Sequence, residues 1–248
     1  ISTVELNHFL DWIKEGRGVP CSPKTLARRI TSIKSFFRWL HKFGAIPVDP
    51  AEKVVQKTVI SPLPTILTKT ETDLAMAAAN RHRSGKKPDA RPAALLQLLL
   101  ATGIKKSECL ALSPKHVDLD GPTGPFLFVR YADPNKRYKE RKIDLPHEWI
   151  DVFKEYSSQH LLNDQLFPWS QRRLEYILED IGKEAGLNKQ ISFLMCRWTC
   201  AVNDWIIGVE PDKIRQKLGV SKIQWRELKM KIGKLAEGQI KADVEPSA

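Results

Sequence analysis

"LLQLLLATGIKKSECLAL", residues 95–112, decides how the rest of the chain is read. Its first half is apolar on every side, the pattern of a buried helix. Thr102-Gly103 breaks it, because glycine adopts the turn that ends a helix without steric cost. A second helix then opens on Lys105, Lys106 and Glu108.

Upstream, "RHRSGKKPDARP" (81–92) is a polar, basic loop that is either mobile or in touch with a phosphate backbone. Thr68 or Thr70 caps a helix that runs to about Asn80. "KTVISPLPTILTKTE" (57–71) reads as an extended linker, rich in Pro and β-branched residues. Before it, "FGAIPVDPAEKV" closes a helical unit whose clearest element is "KTLARRITSIKSFFRWLHK" (24–42). Ser22 stands at its N-cap and Pro23 at its first position. Leu26, Ile30, Ile33, Phe37 and Leu40 form one apolar stripe, with Thr31, Lys34 and Arg38 on another face and Arg28, Arg29 and Lys42 nearby. From Lys14 to Lys42 there are eight basic residues and Glu15 is the single acid. A helix that grips phosphates fits this better than a merely solvated face. Residues 2–15 form a further helix, with Val4, Leu6, Phe9, Leu10 and Ile13 near helical spacing.

Downstream, "FLFVRYADPNKRYKERKIDLP" (126–146) is the one convincing β region. Residues 126–131 and 141–145 read as strands around a lysine-rich turn. Helical patterns then cover 147–160, 171–186, 193–207 and 211–219, and a last one starts near Gln224. The expected fold is mainly α with a small antiparallel β-sheet (α+β). A helical domain spans residues 1–60 and a larger one spans 61–248.

Forty basic against twenty-nine acidic residues leave a net charge of +11 over 248 residues, which points to a polyanionic partner, nucleic acid first. No apolar run is long enough to span a bilayer and no signal-peptide pattern opens the chain, so a cytoplasmic, DNA-associated protein is expected. A start without Met, inside a helical pattern, leads us to expect further residues upstream. The four cysteines (Cys21, Cys109, Cys196, Cys200) do not form a disulfide-like frame. Cys196 and Cys200 share a helix face, but no second ligand pair has matching spacing, so neither metal nor cofactor is expected.

Several of these segments together resemble the tyrosine recombinase (phage integrase) family, over nearly the whole chain. "SPKTLARRITSIKSFFRWLHKFGAIPVDPAEKV" is similar to the helical core-binding domain, and "LPTILTKTE" to the entry to the catalytic domain. "ATGIKKSECLALSPKHVDLD" resembles the family's first box, Thr-Gly-Leu-Arg-x-x-Glu-x-x-x-Leu. "NKRYKERKIDLP" resembles the β-hairpin, "ISFLMCRWTCA" the Ser-x-His-x-x-Arg-His-Thr-x-Ala box, and "KLGVSKI" the Leu-Gly-His-Ser-x-Ile motif. The family wraps duplex DNA between its two domains. Two arginines bind the scissile phosphate, a hairpin lysine protonates the leaving oxygen, two histidines (one sometimes Trp) assist, and a tyrosine attacks. The physics suits such a site, because guanidinium forks match phosphate oxygens and fixed donors stabilise developing charge.

Carried over by position, the resemblance puts the first arginine at Lys105, with Glu108 retained. The hairpin lysine is Lys136. The histidine of the second box falls on Leu194, its arginine on Arg197, and its next histidine on Trp198. The last histidine falls on Val220 and the nucleophile on Lys229. Tyr131, Tyr138, Tyr156 and Tyr176 are the only tyrosines, and none follows the second box. Ser221 and Thr199 lack a neighbouring base, and Lys229 would give only a labile phosphoramidate. The resemblance therefore implies an inactive, DNA-binding relative, a pseudoenzyme of a mobile-element family. Lys105, Lys136, Arg197 and Lys229 are expected to surround one phosphate, with Arg28, Arg29, Lys34 and Arg38 gripping the backbone elsewhere. Arg197, in an apolar helix, is expected to meet a phosphate or a buried carboxylate. The alternatives are an active recombinase with a rearranged site, and an interaction module that docks a partner through "ELKMKIGKLAEGQIKADVEPSA". Double-stranded DNA is the expected partner, with self-association or an active recombinase as further ones. In relatives the tail often packs on a neighbouring protomer, and Leu228, Ile232 and Leu235 offer a similar stripe, which either meets such a neighbour or folds back on its own core.

Overall fold

The computed structural model describes residues 1–57, 62–122 and 124–244, the last three through their backbone alone. The chain divides into two compact units, Ile1–Pro62 and Leu63–Ala248. The boundary expected near residue 60 lies outside the described residues.

The first unit is helical. α1 (Thr3–Asp11) starts on a capping box, in which the Ser2 hydroxyl accepts from the Glu5 amide and the Glu5 carboxylate accepts from the Ser2 amide. It runs into a single π-turn, Trp12–Gly16. α2 (Pro23–Lys42) starts as its sequence predicts, with the Ser22 hydroxyl accepting from the Thr25 amide and Pro23 at the first position. Leu6, Leu10, Ile30, Phe37, Ala51 and Val54 form the small core. The expected stripe of the first helix is only partly inward: Leu6, Leu10 and Ile13 are buried, whereas Val4 and Phe9 face solvent. The cause is spacing, because Val4 and Phe9 flank the line that Leu6, Leu10 and Ile13 make at three- and four-residue steps.

In the second unit, α3 (Lys69–Arg81) is capped by Thr68 rather than Thr70. α4 (Arg91–Thr102) is the buried helix of the opening stretch, with seven of its side chains from Pro92 to Leu99 packed away from water. Trp149 donates its indole N–H to the Ala94 carbonyl, 2.9 Å away, and so fixes α6 (His147–Gln159) against α4. The 81–92 loop is tied down at several points: Arg83 meets Glu155 at 2.7 Å and His82 meets Glu184 at 2.8 Å.

Gly103, with φ of 58°, ends α4, and a Cβ there would crowd the Cys200 sulfur and Leu218. α5 (Lys106–Leu110) follows at once. The sheet is antiparallel in the order β1-β2-β3, comprising Val117–Asp118, Phe126–Val129 and Arg141–Asp144. Leu127 pairs with Ile143 and Phe128 with Lys142. β1 was not expected, since two residues cannot carry an alternating pattern. The hairpin turn is a 3-10 helix, Pro134–Lys139. α7 (Gln171–Glu184), α8 (Phe193–Ile206), α9 (Pro211–Leu218) and α10 (Lys222–Val244) complete the unit. Among the described residues no helix is long and apolar enough to cross a membrane.

The stripe on α10 folds inward on its own chain. Ile232 and Ala236 pack with Ala201, Val202, Ile214 and Leu218, while Leu228 and Leu235 flank them. Of the two destinations expected for this stripe, the fold takes the second, its own core: burying the stripe in cis removes its apolar area from water without a second copy.

Candidate phosphate-binding site

The site is built on the turn between α4 and α5, the first turns of α8 and the end of α9. Glu108 is its buried anchor. Its carboxylate takes a fork of hydrogen bonds from Arg141 at 2.9 and 3.1 Å, a third from the Lys105 amide at 2.8 Å, and a fourth from the Tyr131 hydroxyl. Burial pushes the Glu108 carboxyl up, but the Arg141 guanidinium and the amide outweigh it and hold it at about 2. Burial together with the Glu108 charge pushes the Tyr131 phenol up to about 12, so it stays a neutral donor.

Arg141 does more than hold Glu108. Its Nε donates to the Lys217 carbonyl at 2.6 Å, near the end of α9. Arg197 donates to the next carbonyl, Leu218, at 2.6 Å, and to Gly103 at 2.6 Å. Two guanidinium groups thus cap adjacent orphan carbonyls where the α9 dipole is negative. Gly219 ends that helix with φ of 58°, and a Cβ there would sit 2.6 Å from an Arg141 nitrogen. Beneath, Lys217 pairs with Asp204 of α8 at 2.8 and 3.0 Å and locks α9 to α8.

Arg197 therefore does not bond a carboxylate, contrary to that half of the expectation: its protein partners are two backbone oxygens. A guanidinium carries five N–H groups, and those left over have no acceptor among the described residues. Burial, only partly offset by Glu108, lowers Arg197 to about 10, so it remains a cation near neutral pH.

Two clefts meet at Lys105, Leu194 and Arg197. The larger, about 970 Å³, continues past Lys106, Arg172 and Tyr176. The smaller, about 290 Å³, is walled by Trp198, Val220, Gln224 and Leu228. Five positions carried over from the family, 105, 194, 197, 198 and 220, are thus brought together, with Leu194, Trp198 and Val220 supplying apolar surface at the histidine positions. Burial lowers the Lys105 ammonium; Glu108 opposes this, and Arg197, Arg141 and Lys139 reinforce it.

Lys136 and Lys229 line neither cleft. Lys136 pairs with Asp133 at 3.1 Å within the hairpin turn, and Lys229 is exposed on α10, one residue past Leu228. Lys139, not Lys136, is the hairpin lysine whose charge reaches Lys105. Sequence reading missed Lys139 and Arg141. Five cations crowd residues 136–142, and only the register of β3 and the turn separates them.

In the first unit, Arg28 and Arg38 are exposed on α2 and Arg29 is half-buried. Lys34 is spent within the unit, donating to the Val54 carbonyl at 2.6 Å and to that of Glu52 at 3.2 Å. Its ammonium secures the segment after α2, so a phosphate would have to displace those carbonyls. Lys24, Arg28, Arg38 and Lys42 lie along one face by helical spacing.

All four tyrosines precede α8. Tyr131 is tied to Glu108, Tyr156 is buried and donates to the Leu166 carbonyl at 2.6 Å, and Tyr138 is exposed on the hairpin turn. Tyr176 lies on α7 with its hydroxyl 2.7 Å from the Arg172 Nε.

This arrangement, an arginine and a lysine converging beside a buried Glu–Arg fork in an α+β unit, fits one class of fold. The phage integrase family model matches residues 65–225, and the chain belongs to that family, the tyrosine recombinases. Among its relatives is a tyrosine recombinase XerC of Roseiflexus sp. (strain RS-1), 34% identical over 257 residues, covering 96% of this chain and 77% of that one. A tyrosine recombinase XerC of Pediococcus pentosaceus is 25% identical, over 82% of this chain and 70% of that one. A similar fold occurs in the XerH site-specific recombinase bound to palindromic difH substrate, with a TM-score of 0.77, 18% identity, and coverage of 99% and 72%.

Proposed function

We propose that this protein binds duplex DNA through both of its units and forms no phosphotyrosyl bond, serving as an accessory or regulatory factor in DNA recombination. It acts alone, as a self-associated assembly, or beside an active recombinase. The observation that carries the reading is Lys229, an exposed lysine on α10 where the family's nucleophile belongs, with every tyrosine elsewhere. Leu194 and Val220 add to it, because neither can move a proton. Lys105 keeps a charge but not the fork, and losing one donor to a transition state typically costs about 10²–10³ in rate. The retained contacts are cations, which suit binding. Lys105 and Arg197 serve at one phosphate, and the α2 face of Lys24, Arg28, Arg38 and Lys42 serves at others.

A second reading has one observation in its favour: Tyr176 lines the larger cleft together with Lys105 and Arg197. In that reading the protein is an active recombinase with a rearranged site. A nicked suicide duplex, resolved on a denaturing gel beside a native gel shift, separates the two. A shift without a covalent adduct supports the first reading. An adduct that Tyr176→Phe abolishes establishes the second.

A further inference from the structure

We propose that Lys105 captures abasic sites in DNA, its Nζ forming an imine with the C1′ aldehyde of the ring-opened deoxyribose. The inference rests on the reading that this pocket meets a DNA phosphate.

An arginine at position 105 would be charged and without nucleophilic character, whereas a lysine carries an amine that attacks carbonyls once it sheds its proton. The surroundings ease the loss of that proton. Lys105 is half-buried at the junction of the two clefts, with Arg197, Arg141 and Lys139 adding positive charge around it. Its ion-pair partner is Glu108, whose oxygen is 3.8 Å from Nζ and already occupied by Arg141 and Tyr131, while Glu175, Glu179 and Glu227 line the clefts further out. Lys106, the next lysine along, is held by Glu175 at 2.8 Å, so it does not offer a free amine.

The substrate fits the same geometry. The unused N–H groups of Arg197 can hold a phosphate oxygen. C1′ of an opened deoxyribose is only a few bonds from the phosphorus on its 3′ side, so a phosphate on Arg197 brings the aldehyde to the neighbouring amine. The smaller cleft, about 290 Å³ and walled by Leu194, Trp198 and Val220, takes the sugar without a base.

The step balances without an oxidant or reductant. The Nζ lone pair forms the N–C1′ bond, and the carbonyl oxygen takes up a proton to give a carbinolamine. Loss of that hydroxyl and of the remaining amine protons as water and H⁺ leaves the neutral imine.

The test uses the full chain, a duplex with a single abasic site, the matching intact duplex, and cyanoborohydride to reduce the imine. The expected result is a protein–DNA adduct on a denaturing gel, formed on the abasic duplex alone and mapped by peptide mass to Lys105. Lys105→Arg should lower adduct per bound duplex at least tenfold. An adduct spread over other lysines overturns the proposal, and mapping in the parent chain decides this even if the variant fails to fold. A native gel shift on the abasic duplex with no adduct overturns it and leaves DNA binding standing. No shift on either duplex overturns the binding reading as well.

Discussion

Arg141 holds Glu108 by a two-pronged pair, at 2.9 and 3.1 Å, with the Glu108 side chain 1% exposed and the Arg141 side chain 8% exposed. The pair joins the first turn of α5 to the start of β3, and through the Lys217 carbonyl it reaches α9. Removing Arg141 leaves the Glu108 carboxylate buried and charged, with the nearest remaining cation the Lys105 ammonium at 3.8 Å. Arg141→Met should therefore destabilise the second unit by about 3–5 kcal/mol, the usual cost of breaking a buried pair. Chemical denaturation, followed through the tryptophans, measures it. A change under about 1 kcal/mol would mean that water replaces the guanidinium.

The same pair sets an acid limit. Glu108 is lowered in the fold, from 4.5 to about 2, so its stabilisation is complete above the unfolded value and is lost as pH falls through that window. The shift corresponds to roughly 3 kcal/mol. Stability should decline between about pH 5 and pH 2. Glu108→Gln should flatten that decline while lowering stability at neutral pH. An unchanged acid profile in Glu108→Gln would assign the transition to other carboxylates.

Much of this fold was legible in the sequence because its signals are local. Ser22 and Thr68, the latter one of two candidates, each cap a helix with a side-chain oxygen, and Gly103 ends one with its positive φ. The site was legible in part. The motif spacing gathered Lys105, Leu194, Arg197 and Val220, which do line one cleft. Lys136, Lys34 and Arg141 were not separable by pattern. Which cation faces a phosphate, a carbonyl or an aspartate depends on partners far along the chain: Lys34 ends on Val54, and Arg141 on Glu108 and Lys217. The stripe on α10 left two destinations open for the same reason, since a stripe shows that a face is covered without showing by what.

That inward face gives a prediction about the tail. Ile232 is fully buried and Ala236 nearly so, against α8 and α9. Ile232→Ala should cost about 2–5 kcal/mol. Deleting residues from 231 onward should lower the melting temperature of the chain by itself, before any effect on assembly. A truncated chain that melts like the parent would show that the stripe is dispensable for folding.

DNA affinity should depend steeply on salt. With about six phosphates neutralised by the α2 face and the pocket, log affinity should fall against log salt with a slope near −5. Lys34→Ala should leave that slope unchanged, because its ammonium is already held by the Val54 and Glu52 carbonyls. Arg38→Ala should reduce it by about one. Titration by fluorescence anisotropy at several salt concentrations reads both, and a slope that Lys34→Ala reduces would put that lysine on the DNA.

Arg197 is the sharpest probe of the pocket. It grips the Gly103 and Leu218 carbonyls, so its truncation has two consequences that must be separated. Losing these bonds loosens the end of α9, which unfolding measurements register. Losing the outward N–H groups removes a charge-assisted phosphate contact, worth roughly 1.5–3 kcal/mol. Arg197→Ala should therefore weaken duplex binding about tenfold or more, with the salt slope reduced by about one. Arg197→Lys should keep the charge and the slope while losing the fork, so its affinity should fall between the two. If Arg197→Ala destabilises the chain yet binds DNA with the parent's affinity and slope, the guanidinium serves only the backbone carbonyls. The convergence of Lys105 and Arg197 would then be a feature of the scaffold, with the DNA held elsewhere.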